Sequence, residues 1–137
     1  MKKSTIDKLQ KGLLIFVGVG LIPIALGYGL VPEKSMSSLF NISVTETNLA
    51  HILRAVMGLY LGLVIFWFIG AFNPRLRLTA LYSLVVFMLG LAAGRILSII
   101  IDGIPNILLV VYLVLEVTLG IIGLILINRS ANTSLGE

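Results

Sequence analysis

Four long apolar stretches, separated by short polar segments, dominate the chain. They cover residues 12–30, 48–72, 78–101 and 104–127. Each stretch is long enough to cross the hydrocarbon core of a bilayer as an α-helix, which takes about 20 residues. The pattern therefore predicts an all-α, integral membrane four-helix bundle that forms a single transmembrane domain over residues 1–137.

The one long polar segment, residues 31–47, predicts a short amphipathic helix. Pro32 suits the first position of a helix. Met36, Leu39 and Phe40 follow with i, i+3, i+4 spacing, which places them on one face. We expect this helix to lie on the bilayer surface or to cover one end of the bundle.

Short motifs predict where the long helices begin and end. Ser43–Glu46 fits a capping box, which places the start of the second long helix near residue 44. Asn73–Pro74 should end that helix, because the residue before a proline resists the helical region. Pro105 suits the first turn of the fourth long helix. Residues 128–137 are expected to form a frayed polar tail.

Composition agrees with a membrane protein. Hydrophobic residues make up 58% of the 137 residues and charged residues 12%, about half of the roughly 25% that is usual in soluble domains. The chain has no cysteine, which excludes disulfides, thiolate metal sites and thiol redox chemistry. The net charge of +4 does not indicate nucleic-acid binding, because the basic residues form no soluble patch.

The placement of basic residues predicts the orientation in the membrane. Only Lys34 lies outside the spans on one side. The other side holds the N-terminal segment, a tight loop after Pro74 and the C-terminal tail, with Lys2, Lys3, Lys8, Lys11, Arg75, Arg77 and Arg129. By the positive-inside rule both termini face the cytoplasm, and the 31–47 segment and the Asp102 turn face outward.

Charged residues inside the apolar stretches predict a polar pocket in the outer half of the bundle. At 1.5 Å per residue, Arg54 and Arg95 each lie about 9 Å inside their spans and Glu116 roughly 14–18 Å inside. Burying a charge there costs about 2.5–3.5 kcal/mol, so Glu116 should pair with an arginine or be protonated, and we expect the pair, with Arg54 or Arg95. Asp102 should then pair with whichever arginine lies nearer the surface.

Other polar side chains complete the predicted site. His51 lies three residues before Arg54 and shares its helix face. Ala55, Gly58 and Gly62 continue that face as a stripe of small residues. The predicted ligand-binding residues are Asn48, His51, Arg54, Tyr60, Arg95, Ser98, Asp102, Tyr112 and Glu116.

Three functions fit these residues. Two arginines against one deep carboxylate leave spare positive charge, so our leading hypothesis is a pocket for an amphipathic or anionic small molecule, such as a lipid or a quinone-like compound. Alternatively, the cluster is only structural: the arginines extend to lipid head groups, or Glu116 and one arginine pin the fourth long helix to its neighbour. The protein would then be a structural or accessory subunit of a membrane complex. The third is a lipid-modifying, isomerase-like enzyme that uses His51 and Glu116 as an acid–base pair.

Cofactor and oligomer predictions follow from the same residues. A single histidine within the spans disfavours haem, and one histidine with one deep carboxylate disfavours a metal site, so we predict no metal and no cofactor. Small-residue pairs such as Gly90 and Gly94 favour internal packing, with contacts in a homo-oligomer as the alternative.

The chain also resembles a known family. Tyr28–Pro32, the stretch Asn48–Tyr60, the pair Gly94–Arg95 and Glu116 are similar to a bacterial domain-of-unknown-function family, number 4345, and more loosely to the DoxX-like small membrane proteins. The similarity extends from about residue 12 to residue 127. It implies a four-helix protein of the bacterial cytoplasmic (inner) membrane, without an established activity or catalytic residue. DoxX-type relatives imply association with membrane redox partners.

Overall fold

The computed structural model describes residues 3–134, and within that range the chain is all-α. The five helices are α1 (Lys3–Gly29), α2 (Pro32–Phe40), α3 (Thr47–Phe72), α4 (Pro74–Asp102) and α5 (Ile107–Ser134). Four of them, α1, α3, α4 and α5, are long enough to cross a membrane, with mean hydropathies of 2.0 to 2.6 in their most apolar windows. This confirms the predicted all-α class and its four candidate membrane helices.

The short helix α2 is the predicted amphipathic helix. Pro32 occupies its first turn and is buried together with Met36. The helix ends at Asn41, which adopts a left-handed conformation with φ 60°. The backbone N–H of Asn41 donates to the carbonyl of Ser37 and that of Ile42 to the carbonyl of Met36, each at 3.1 Å, so the end of the helix has its hydrogen bonds satisfied.

Two predicted helix starts are wrong, and for the second of them the structure shows the cap that replaces the predicted start. Helix α3 begins at Thr47 and not near residue 44, so the Ser43–Glu46 motif does not open it. Helix α5 begins after Pro105, since the side chain of Asn106 accepts a hydrogen bond from the backbone N–H of Leu108 at 2.9 Å. Asparagine is a strong N-cap, and its cap moves the helix start past the proline.

The tight loop predicted around Arg75 and Arg77 is also wrong, because both lie in α4. Asn73 is the N-cap, and its Oδ1 accepts from the backbone N–H of Arg75 at 3.1 Å. Pro74 then serves as the first helical residue. The predicted frayed tail is helical up to Ser134, and residues 135–137 lie outside the described part of the chain.

The helices form two compact units. Unit 1 contains residues 1–15 and 67–137, and unit 2 contains residues 16–66. Unit 1 therefore holds the beginning of α1, the end of α3, and all of α4 and α5. Unit 2 holds the rest of α1, α2 and most of α3. The single transmembrane domain stays a prediction.

In unit 1 the end of α3 is joined to α4 around Trp67, which is fully buried. Its Nε1 donates to Ser83 Oγ at 3.0 Å, and the Ser83 hydroxyl donates to the carbonyl of Ala80 at 2.8 Å. Phe87 packs edge-on against the indole with ring centroids 5.5 Å apart. A buried indole N–H needs such an acceptor, so this contact orients α4.

In unit 2 an aromatic cluster joins α1, α2 and α3. The ring of Tyr28 stacks on Phe40 at 6.5 Å and meets Tyr60 edge-on at 5.9 Å. Next to it α1 and α3 approach closely, since a Cβ on Gly29 would lie 2.6 Å from the Cβ of Met57. Only glycine permits this approach, which fixes the register of α3 against α1.

Candidate functional site

The predicted site residues divide into two groups, one in each unit. Unit 1 holds Arg95, Ser98, Asp102, Tyr112 and Glu116. Unit 2 holds Asn48, His51, Arg54 and Tyr60. A single pocket that contains both groups stays a prediction, and each group has its own geometry.

The unit 1 group is built around an ion pair between α4 and α5. The Nε of Arg95 lies 2.9 Å from both Oε1 and Oε2 of Glu116. The side chain of Glu116 is 8% exposed and that of Arg95 21%. Of the two arginines predicted as partners of Glu116, the structure therefore pairs Arg95 with it inside unit 1.

The aromatic ring of Tyr112 also contacts the guanidinium of Arg95. It lies one turn before Glu116 on α5, and the Cζ of Arg95 is 5.7 Å from the centroid of its ring. Such a cation–π contact contributes about 0.5–1 kcal/mol when exposed and more when desolvated. Two side chains of α5 therefore position one side chain of α4, which is the geometry of a helix-pinning contact.

Ser98 and Asp102 lie further along α4 and form a local contact. The Oγ of Ser98 donates to Oδ2 of Asp102 at 2.8 Å on an exposed surface. Within unit 1 the structure gives Asp102 this serine as its partner, and the pairing of Asp102 with an arginine stays a prediction. A partner four residues away on the same helix is available without any rearrangement.

The unit 2 group has a different character, because its arginine, Arg54, is exposed. Arg54 lies seven residues after the start of α3, about 10 Å along the helix at 1.5 Å per residue. His51 and Asn48 are exposed as well. Among the described residues of unit 2, none forms a hydrogen bond or an ion pair with the side chain of His51 or Arg54.

The same face of α3 continues with small, exposed residues. Ala55, Gly58 and Gly62 are exposed, and a Cβ placed on Gly58 or Gly62 would meet no atom within 4 Å. Tyr60, in contrast, is buried in the aromatic cluster of unit 2. Arg54 is therefore followed by open space along the helix, whereas Tyr60 belongs to the core.

One feature of unit 1 was missed by the sequence reasoning. A surface cavity of about 210 Å³ lies between the beginning of α1, the first turns of α4 and the end of α5. Lys3, Asp7, Tyr82 and Ser130 contribute its polar groups. The one signal in the sequence is the i, i+4 pair of Lys3 and Asp7. Its partners lie more than 70 residues away, and Ser130 falls in the segment predicted to be frayed.

Metal-binding geometry is not found in the described range: no three His, Cys, Asp or Glu side chains of residues 3–134 lie together as a group that could hold a metal ion.

A comparison with known protein families identifies the family of the chain. Residues 9–127 match the family model described as "Domain of unknown function (DUF4345)". Because the match covers most of the chain, the protein belongs to this family, and the resemblance predicted from its motifs is confirmed. No curated protein and no solved structure matches the chain. The DoxX-like and bacterial relationships stay predictions.

Proposed function

We propose that this member of a family of unknown function binds an amphipathic molecule with an anionic head group, such as an anionic lipid, on the face of α3 that begins at His51 and Arg54. One observation carries the proposal. In unit 1 the charge of Arg95 is matched by Glu116 at 2.9 Å, whereas in unit 2 Arg54 is exposed within a candidate membrane helix. The spare positive charge predicted from the sequence is therefore assigned to Arg54.

The electrostatics of α3 favour an anion beside Arg54. A charged arginine in the hydrocarbon costs about 2.5–3.5 kcal/mol on insertion scales, and an anion that approaches the guanidinium lowers this cost. The planar guanidinium matches the geometry of a phosphate or a carboxylate through parallel N–H···O bonds. His51, one turn earlier on the same face, adds a second donor for the same head group.

The small residues after Arg54 favour an apolar tail on the same ligand. The open space beside Gly58 and Gly62 lets an acyl chain or an isoprenoid chain lie against the helix backbone at van der Waals distance. A ligand with its head group at Arg54 and its chain along Gly58 would follow one face of α3 toward the membrane interior. A soluble anion would contact only Arg54 and His51 and would leave the small residues uncovered.

The competing functions explain less of this arrangement. An acid–base role for Glu116 needs a carboxylate that is available to a substrate, but both of its oxygens contact Arg95. A purely structural role fits the Arg95–Glu116 pair well. It does not account for an exposed arginine followed by an open strip of small residues on α3.

The decisive experiment is native mass spectrometry of the protein with lipids of one acyl composition. Phosphatidylglycerol and phosphatidylcholine are added together to the detergent-solubilised protein, and the retained adducts are counted. We expect the wild type to retain phosphatidylglycerol preferentially. Arg54→Gln should weaken that retention about 10-fold or more, since a charge-assisted hydrogen bond is worth about 1.5–3 kcal/mol.

Two further variants sharpen the result. Arg75→Gln removes an exposed arginine from the first turn of α4 and should leave retention unchanged. Gly58→Leu places a side chain in open space and should weaken retention of long-chain lipid more than of its short-chain analogue. Equal retention by the wild type and Arg54→Gln, or an equal loss in Arg75→Gln, would overturn the proposal.

A further inference from the structure

We propose that the surface cavity of unit 1 is a second, independent binding site, which takes a zwitterionic phospholipid head group with a primary ammonium. The cavity measures about 210 Å³ and is walled by three helices. Lys3, Asp7, Tyr82 and Ser130 supply its polar groups, and Ile6 and Ile127 supply its apolar part. None of these residues belongs to the predicted site or to the proposed site on α3.

The cavity lies where a lipid head group would lie. It is formed by the beginning of α1, the first turns of α4 and the end of α5. These are the ends of three candidate membrane helices, and they carry polar and basic residues such as Lys8, Arg75 and Arg129. Helix ends with this composition lie at the boundary between hydrocarbon and water.

The charges in the cavity favour a zwitterion. Lys3 and Asp7 are four residues apart on α1 and share one face, so the cavity offers one positive and one negative group. The ammonium of Lys3 suits a phosphate, and the carboxylate of Asp7 suits an ammonium. A purely anionic head group would be repelled by the carboxylate of Asp7, whereas the ammonium of a zwitterion would be attracted by it.

Hydrogen bonding selects a primary ammonium over a quaternary one. A primary ammonium has three N–H donors, which match the carboxylate of Asp7 and the hydroxyl oxygens of Tyr82 and Ser130. A trimethylammonium group has no N–H donor and is larger. The cavity of about 210 Å³ is far larger than the space that one water needs, so a small head group has room in it.

The apolar surroundings favour a lipid over a free head group. Ile6 and Ile127, 2% and 5% exposed, form the buried side of the cavity. Leu78 and Tyr82 lie at its edge, and Val86 continues their i, i+4 row along α4. All three of these α4 side chains are exposed, so an acyl chain that leaves the cavity has an apolar track toward the membrane interior.

The test compares phosphatidylethanolamine with phosphatidylcholine of the same acyl chains by native mass spectrometry. We expect the wild type to retain phosphatidylethanolamine at least 5-fold better. Asp7→Asn should abolish this preference, and Glu33→Gln, which removes an exposed carboxylate from α2, should preserve it. Ser130→Leu, which fills the cavity, should lower retention of phosphatidylethanolamine without unfolding the protein.

Several results would contradict the proposed lipid site. Equal retention of the two lipids by the wild type, an unchanged preference in Asp7→Asn, or an equal loss in Glu33→Gln would overturn the site. Displacement of the lipid by an equal concentration of water-soluble glycerophosphoethanolamine would show that the acyl chains add nothing to binding and would overturn the assignment to a lipid. Arg54→Gln should keep the preference for phosphatidylethanolamine, so this site and the proposed function on α3 can fail separately.

Discussion

Removing Arg95 while Glu116 remains should destabilise the protein more than removing both. The pair joins α4 to α5, and Glu116 is buried with its carboxylate against the Nε of Arg95. Arg95→Met leaves that carboxylate in an apolar setting without its cation. Breaking a buried pair by removing one partner is costly, whereas replacing both partners with apolar side chains of similar size is often close to neutral.

The magnitude follows from the geometry of the contact. Both oxygens of Glu116 lie 2.9 Å from a single nitrogen of Arg95, so they share one N–H. The contact therefore counts as one charge-assisted hydrogen bond, about 1.5–3 kcal/mol, while coupling energies measured within membrane proteins reach only about 1.7 kcal/mol. We expect a coupling of about 1.5–2 kcal/mol.

The single variants should differ in cost. Arg95→Met should cost about 2–3 kcal/mol, because a charge left in the hydrocarbon costs about that much. Glu116→Met should cost about 1 kcal/mol, since the Arg95 side chain is 21% exposed and can extend toward water. The double variant should lose about 1–2 kcal/mol relative to the wild type, which is about 1.5–2 kcal/mol less than the two single costs added together, because methionine fills irregular gaps.

The fluorescence of a natural tryptophan can report the unfolding of these variants. Trp67 is the single tryptophan and is fully buried, so its fluorescence follows unfolding when a denaturing detergent is titrated into the micelles. Ser98→Ala, which removes the exposed contact with Asp102, is the control and should change the free energy of unfolding by less than about 0.5 kcal/mol. A coupling below about 0.5 kcal/mol, or a double variant as unstable as Arg95→Met, would refute the reasoning.

Two other predictions test the packing and the orientation. Gly70→Ala should cost about 1–3 kcal/mol in the same titration, because the new methyl group meets the Cβ of Ala80, which cannot rotate away. Gly90→Ala faces open space and should be nearly neutral, and equal costs for the two would contradict the close contact. Because the chain lacks cysteine, Ser38→Cys and Ser4→Cys can each be probed with an impermeant maleimide. The positive-inside rule predicts labelling of Ser38→Cys in intact cells and of Ser4→Cys only after lysis, and the reverse result would invert the orientation.

Helix ends show where sequence motifs compete with one another. Pro32 and the apolar residues that follow it predicted α2 correctly, since the helix contains its own start signal and buries Met36, although Leu39 of the predicted face is exposed. The start of α3 was predicted about three residues too early, because a capping-box pattern such as Ser43–Glu46 does not by itself fix where a helix begins. The caps at Asn73 and Asn106 were overlooked beside neighbouring prolines, although asparagine is itself a preferred cap.

The face on which a side chain lies depends on neighbours that the sequence does not reveal. Tyr60 and Arg54 belong to one helix and were predicted to share a site. The structure buries Tyr60 against Tyr28 and exposes Arg54. The surface cavity of unit 1 escaped prediction for a similar reason, because Asp7, Tyr82 and Ser130 come from three distant segments.

The sequence by itself determined the class of protein and its membrane helices. Water is absent from the bilayer core, so every backbone group must be paired within its own segment, and a long apolar run has few alternatives to a helix. Only the tertiary structure decided which arginine meets Glu116. Arg54 and Arg95 were placed at the same depth of about 9 Å, and depth says nothing about which helices are neighbours. That choice depends on the packing of α4 against α5, where Gly120 and Gly123 face Leu89 and Val85 so closely that a Cβ on either glycine would clash.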